Sequence, residues 1–351
     1  MKLGWKFWLG VPISMVCFAW ALRGLSLGQV WQEIGHANYW WLIPSICVYS
    51  LAVAARTWRW HYMLRPMGHV SLRRLFPIVV IGYMGNNIYP ARAGEFIRSF
   101  VLRRNTGIEV SASLATVLVE RVFDGLVMLL FVFVAVPFVV LPSWLDFTVV
   151  VATVVFAAAL AVLVAAAVRP AAFLRLYHAV ANRILPEHLR AKAAGNVEKF
   201  MFGLTSLSRP RDVLMIFGTS TLIWLTETAK YWVLMHGFPF HVSYLTLMLM
   251  TAVVTLATTI PSAPGYVGTF DAPGIKVLAA SGVAESVSAG YTLVLHAALL
   301  VPITLLGFYY MWRQSVRWSD FGAAAATQGA PVSELGASGS AAESAKDATA
   351  G

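Results

Sequence analysis

The sequence predicts an all-α polytopic membrane protein, with about six full transmembrane helices and two opposed re-entrant helical hairpins that form an inverted repeat. Three observations lead there. Of the 351 residues, 59% are hydrophobic and 12% charged, with a mean hydropathy of +0.71, whereas soluble domains hold about 45–50% apolar and about 25% charged residues. The apolar runs reach the ~20 residues that a helix needs to cross a ~30 Å hydrocarbon core, and they lack the alternation of barrel strands. Two of the runs are interrupted by polar motifs rich in proline and glycine, at 85–98 and 261–271. Broken backbone and ionisable groups persist at membrane depth only where protein or water covers them, and they often mark a substrate pathway.

Lys2 and Lys6 precede an apolar run from Phe7 to Leu22, in which Ala19-Trp20-Ala21 imitates a signal-peptidase site. Arg23 follows at once and the rest of the chain is itself polytopic, so an uncleaved first helix is expected over 5–23. Apolar length and flanking Pro, Gly and basic residues place further full spans at 39–62, 111–141, 147–168, 212–236 and 287–312. The stretches 75–89 and 242–260 each run into a proline motif and resume as short segments, 91–104 and 263–280. Each pair suffices to enter and leave by one face, but not for two comfortable spans. The membrane domain is therefore expected over 1–320, with hairpins near 75–104 and 242–280. The Ala-, Gly- and Ser-rich stretch 321–351 reads as a disordered tail. Cys17 and Cys47 lie inside apolar runs, where neither a disulfide framework nor metal-ligand spacing can be read.

Charge sets the expected orientation, because Lys and Arg concentrate in cytoplasmic loops. Arg56, Arg59, Arg65, Arg73 and Arg74 are assigned to one loop, and Arg98, Arg103 and Arg104 follow the first broken segment. The 169–211 connection carries eight Arg and Lys residues against Glu187 and Glu198, and Arg313 and Arg317 follow the last span. Both termini then face the cytoplasm, and the net charge of +10 is explained by topology and anionic lipid headgroups, not by nucleic acid. On this map the first hairpin enters from the cytoplasm and the second from outside. The two regions also resemble each other: Gly94-Glu95-Phe96, Gly107 and Arg121 follow nearly the same spacing as Gly268-Thr269-Phe270-Asp271, Gly282 and His296. Inverted repeats of this kind commonly place a substrate near the midplane, between discontinuous helices.

In the first hairpin, Pro90 breaks the helix, while Gly85 and Gly94 permit close or unusual backbone. The returning helix would then offer free amides and the positive end of its dipole to a phosphate or carboxylate. Arg92 and Arg98 are candidates to hold a lipid phosphate, Asn87 lies in the same motif, and Glu95 would orient an arginine or meet a cationic headgroup. A structural Arg–Glu pair that pins the hairpin accounts for the same residues. Glu120 and Asp124 share a helix face with Arg121 close enough to pair; they read either as charged lining with carboxylates for proton or sodium coupling, or as a static network. In the second hairpin, Pro261, Pro264, Gly265 and Gly268 make a hinge beside Asp271. Glu227 and Lys230 read as a buried structural pair, His296 as a packed hydrogen-bonder, and tryptophans 5, 8, 31, 40, 41, 58 and 60 as an interfacial belt. No G-x-x-x-x-G-K-[ST], H-E-x-x-H or G-x-S-x-G motif occurs, so neither a nucleotide-driven pump nor a familiar hydrolase is indicated.

At these motifs the sequence resembles the flippase-like membrane family that includes the membrane domain of lysylphosphatidylglycerol synthase and some hopanoid-associated members. The resemblance rests on Asn87, Pro90, Arg92, Gly94, Glu95 and Arg98, on Glu120, Arg121 and Asp124, and on the Pro261–Asp271 motif, and it covers about 5–318. It implies lipid translocation, with the charged motifs as headgroup path. The lysyl transferase that follows this domain in the full synthase has no counterpart in the 321–351 stretch, which speaks against aminoacyl-lipid synthesis. The expectation is thus a bacterial inner-membrane flippase or facilitator for a phospholipid or polyisoprenoid-type lipid, with anionic headgroups as partners and no catalytic residue, metal or cofactor. The alternatives are a membrane-embedded lipid-modifying transferase and a non-transporting partner of a lipid-synthesis complex.

Overall fold

The computed structural model describes residues 5–23, 25–89, 92–139, 145–184, 187–207, 209–260 and 262–314. All regular structure among them is helical. The helices are α1 (Trp5–Leu22), α2 (Leu27–His36), α3 (Leu42–Leu64), α4 (Leu72–Ile88), α5 (Gly94–Thr106), α6 (Val110–Ala135), α7 (Leu145–Val168), α8 (Pro170–Ile184), α9 (Glu187–Gly203), α10 (Pro210–Met235), α11 (Tyr244–Ala257), α12 (Asp271–Ala280) and α13 (Glu285–Arg313). The six long apolar runs thus form α1, α3, α6, α7, α10 and α13. α6 stops short of 141 because the chain tightens into a 3-10 turn, Val136–Phe138, around Pro137, a residue that cannot donate to a continuing helix. The tail 321–351 and the hinge positions Pro90 and Pro261 lie outside the described residues.

Two regions read as connections are helical. α2 fills 27–36, and the 169–211 connection holds α8 and α9. These helices are short and mixed in polarity, so a search for ~20-residue apolar runs passes over them. Pro170 and Pro210 begin α8 and α10, where a missing amide hydrogen costs nothing. By length and apolar composition together, α13 alone among the described helices qualifies singly to cross a membrane. α2 with Tyr39–Leu64 passes as a pair bent by 71°, as do 153–168 and 170–179, bent by 103°. α6 and α10 have 26 residues each, but Glu120, Arg121, Asp124, Glu227 and Lys230 lower their hydropathy, and four of these five are buried against neighbouring helices.

Packing is reciprocal between two halves of the chain. α3 packs on α10, α4 on α13, and α11 on α6, so the first arm of each hairpin lies against the long helix that follows the other hairpin. α3 and α10 run antiparallel: Tyr62 near the end of α3 donates to Asp212 near the start of α10, while Asn38 N–H donates to Gly237 O at 2.8 Å at the opposite end. α4 and α13 are antiparallel too, with Phe76 against Tyr310. The far end of α4 reaches only the middle of α13, where Asn87 donates to Thr304 Oγ1 at 2.9 Å. Seventeen residues make about 25 Å of helix, against about 43 Å for the 29 of α13.

The α4–α5 hairpin closes on glycine. A Cβ on Gly94 would lie 1.8 Å from Gly82 O and 2.6 Å from Asn86 N, so the backbones touch as only glycine allows. Gly85 faces Gly94 Cα and Ile97 across the same seam. In the second hairpin, Gly265 (φ +71°) and Gly268 (φ +81°) take the left-handed turns around the Pro264–Tyr266 3-10 turn. That tip is tied to α1, since Ala263 N–H donates to Ser14 Oγ at 2.8 Å.

Candidate functional site

The two hairpin tips meet at a cavity of about 170 Å³ at the centre of the helices. Asn86, Asn87 and Arg92 line it from the first hairpin, and Thr258, Gly265, Tyr266 and Phe270 from the second. Arg56, Arg121, Trp224, Glu227, Lys230 and His296 close it from α3, α6, α10 and α13. A second space of about 130 Å³ continues along the tips, sharing Asn86, Arg92, Thr258 and Tyr266.

Arg92 and Tyr266 make the contact between the tips. The guanidinium lies 5.8 Å from the Tyr266 ring centre, and Nη2 donates to Thr258 O at 3.1 Å. Both residues adopt left-handed backbone, φ +54° and +60°, and they are the non-glycine residues that do so among the described ones. Each also lies two residues before a glycine, Gly94 or Gly268. Strained non-glycine residues at a ligand site cost about 1–3 kcal/mol each and persist only where the surroundings enforce them.

Three ionic groups surround the cavity. In the first, Arg59 Nη1 donates to Asp124 Oδ1 at 2.7 Å and to Ser220 Oγ at 2.6 Å. Asp124 also receives Trp224 Nε1 at 2.9 Å and stands 3.1 Å from Arg121 Nη2. Glu120 takes Arg98 at 2.5 Å, whose guanidinium lies over the Trp60 ring. Glu95 sits 3.7 Å from both Arg92 and Arg121, too far for a hydrogen bond. In the second, Glu227 is clamped between Arg56 and Lys230 by short contacts. Arg56 lies over the Trp224 ring and Lys230 over that of Tyr49. In the third, Asp271 accepts from Gly268 N–H at 2.9 Å and meets His296 Nδ1 at 2.8 Å, while His296 Nε2 lies 2.7 Å from Gly265 O.

Of the sequence-derived candidates, Asn87, Arg92 and Arg121 line the cavity, and Glu95 borders a small crevice beside it with Arg121. Arg98, Glu120, Asp124 and Asp271 do not line it; all four are under 7% exposed and occupied by partners. The amides at the start of α5 are not free either: those of Glu95, Phe96 and Ile97 bond to Arg92 O and Ala93 O. The polar lining of the cavity therefore comes from side chains and not from free amides of α5. Glu227 and Lys230 form the expected buried pair, yet they also line the cavity. Arg56 and Arg59 are not loop residues but are buried within α3, at 7% and 1% exposure. An arginine inside an apolar helix needs a carboxylate, and each has one, Glu227 and Asp124. Their position within the 39–62 run was the available signal. Trp60 leaves the interfacial belt, being fully buried with Nε1 donating to Thr116 at 3.0 Å; Trp31, Trp40 and Trp58 are exposed.

The fold and site define a helical membrane protein with a charged cavity at which the tips of two helical hairpins meet. The chain belongs to the family described as lysylphosphatidylglycerol synthase TM region, whose model matches residues 7–307. A UPF0104 membrane protein of Methanothermobacter thermautotrophicus is 24% identical over 315 residues, 85% of this chain and 92% of the relative. One from Methanocaldococcus jannaschii is 20% identical over 309 residues with the same coverage. The glycosyltransferase AglD of Haloferax volcanii is 26% identical over 116 residues, 33% of this chain and 19% of the enzyme. No solved structure matches the chain significantly.

Proposed function

We propose that this protein translocates an anionic lipid across the cytoplasmic membrane, the headgroup passing through the central cavity while the acyl chains stay in lipid. One observation carries the reading: four cations, Arg56, Arg92, Arg121 and Lys230, line the cavity against one carboxylate, Glu227. Charge of one sign at low dielectric is costly until an opposite charge arrives. Cationic ligands fit poorly, because the protein's own Arg56, Arg92 and Lys230 already cover Trp224, Tyr266 and Tyr49. Membership of a family named for a lipid synthase's membrane region agrees with a lipid substrate.

The hairpin geometry supports re-entrance and an inverted repeat. The chain from 65 to 109 begins and ends where α3 ends and α6 begins. The stretch from 236 to 284 begins and ends at the opposite end of the bundle, where α10 ends and α13 begins. The end holding Arg65, Arg73, Arg74, Arg103, Arg104 and Arg313 gathers together, with Asn105 reaching Gln314. By the excess of basic residues in cytoplasmic loops, that end and both termini face the cytoplasm of a bacterial inner membrane.

Leaflet exchange in vesicles tests the function. Vesicles holding the purified protein and fluorescent phosphatidylglycerol or phosphatidic acid should expose the inner-leaflet label to an external quencher faster than protein-free vesicles. Equal rates for both lipids with and without protein would contradict translocation. The partial likeness to a glycosyltransferase favours a second reading, a membrane module serving a lipid-modifying enzyme. New lipid product by mass spectrometry in the same vesicles would support it.

A further inference from the structure

The charge surrounding the cavity specifies more than its sign. Among the described residues of the first group, Arg59, Arg92, Arg98 and Arg121 face Glu95, Glu120 and Asp124, four positive against three negative. In the second, Arg56 and Lys230 face Glu227, two against one. In the third, Asp271 is engaged by Gly268 N–H and His296 and does not line the cavity. Two separate networks, each with one positive charge in excess, therefore face one space.

The excess charges are built in. Arg56, Glu227 and Lys230 are 7%, 4% and 3% exposed although they line the cavity. The Nε atoms of Arg92 and Arg121 are buried without a hydrogen-bond partner, as is Glu95 Oε1 between them. Glu95 thus holds both arginines loosely, and a better acceptor would draw them away. Arg56 and Lys230 are equivalent across the repeat, each 38 residues before the paired glycine, since 94 − 56 = 268 − 230 = 38.

We propose that the cavity selects a doubly negative headgroup, a lipid phosphate monoester or diphosphate, over the singly charged phosphodiester of an ordinary glycerophospholipid. A phosphate monoester carries about −1.5 to −2 at pH 7 and presents three acceptor oxygens, enough to answer both networks at once. The source of the anion rests on the lipid-translocation reading; its charge does not.

Binding to the detergent-purified full chain tests this without any transport step. The probes are dihexanoyl phosphatidic acid, dihexanoyl phosphatidylglycerol, dihexanoyl phosphatidylcholine and inorganic phosphate at pH 7.5. Phosphatidic acid is expected to bind at least about tenfold tighter than phosphatidylglycerol, as the second charge is met at low dielectric, with phosphatidylcholine weaker still. Lys230→Gln leaves Arg56 and Glu227 balanced, and Arg92→Gln removes the excess of the other network at a partly exposed position. Each should cut the preference to within about threefold, as one excess charge remains. Equal affinity for the two anionic lipids, or a preference unchanged in both variants, overturns the proposal. Inorganic phosphate binding as tightly as phosphatidic acid overturns the lipid source. Retained phosphatidic acid preference with no leaflet exchange would contradict translocation and leave the charge selectivity standing.

Discussion

Asp124→Asn is expected to destabilise the protein by about 3–5 kcal/mol, the usual consequence of removing one partner from a buried ion pair. Two donors from other helices converge on this carboxylate, Arg59 of α3 and Trp224 of α10, and Arg121 of its own helix α6 stands 3.1 Å away as a further ionic partner. The amide keeps the shape but not the charge, and Arg59 is 1% exposed with Glu120 Oε1 no nearer than 3.9 Å from its Nε. An uncompensated guanidinium would remain where α3, α6 and α10 meet. Thermal unfolding in one detergent should show a melting temperature well below wild type, or no folded fraction. Arg59→Met with Asp124→Leu should recover much of the loss, because removing both charges avoids the unpaired one. A single Asp124→Asn variant that melts with the wild type would show that this network does not hold the three helices.

Arg92→Gly is expected to do the reverse, sparing stability while reducing leaflet exchange at least about tenfold, the factor that 1.4 kcal/mol represents. Glycine accepts φ +54° without the steric cost that arginine meets there, and the relieved strain is on the order of 1 kcal/mol. The lost hydrogen bond to Thr258 O is worth about 0.5–1.5 kcal/mol. The two nearly cancel, so the melting temperature should move by only a few degrees, at about 2–4 °C per kcal/mol for a large domain. Function loses a cavity cation and the tip contact to Tyr266 together. Unfolding of Arg92→Gly with exchange lost in proportion would instead make Arg92 a structural pin.

Much of the architecture was legible because membrane helices announce themselves by apolar length, and because glycine and proline interrupt them for few reasons. Gly94 and Gly268 fall where backbone approach or a left-handed turn requires glycine. α2, α8 and α9 were not legible, since short helices of mixed polarity carry no such signal. The charged motifs located the right neighbourhood but not the division of labour within it. Glu120 and Asp124 sit beside Arg121 in sequence, yet a helix turns about 100° per residue, so Arg121 reaches the cavity while its neighbours turn into the packed interface, where Glu120 meets Arg98 of α5. Arg56 and Arg59 were lost to a loop because loop charge and buried charge look alike in one dimension; only the carboxylates on distant helices separate them. Lys230 was readable as paired, but its exposure to the cavity depends on how α10 packs against α3.

The most direct test is to hold the hairpin tips together and watch the lipid. Tyr89→Cys and Thr259→Cys, which line the second space from the two tips and leave Arg92 and Tyr266 in place, can be bridged by a short reducible bifunctional thiol reagent in lipid vesicles, in a chain with Cys17 and Cys47 replaced by serine. Bridging should stop the accelerated exchange of anionic lipid, and reductive cleavage should restore it. Exchange that continues at the same rate across bridged tips would contradict passage of the headgroup between them.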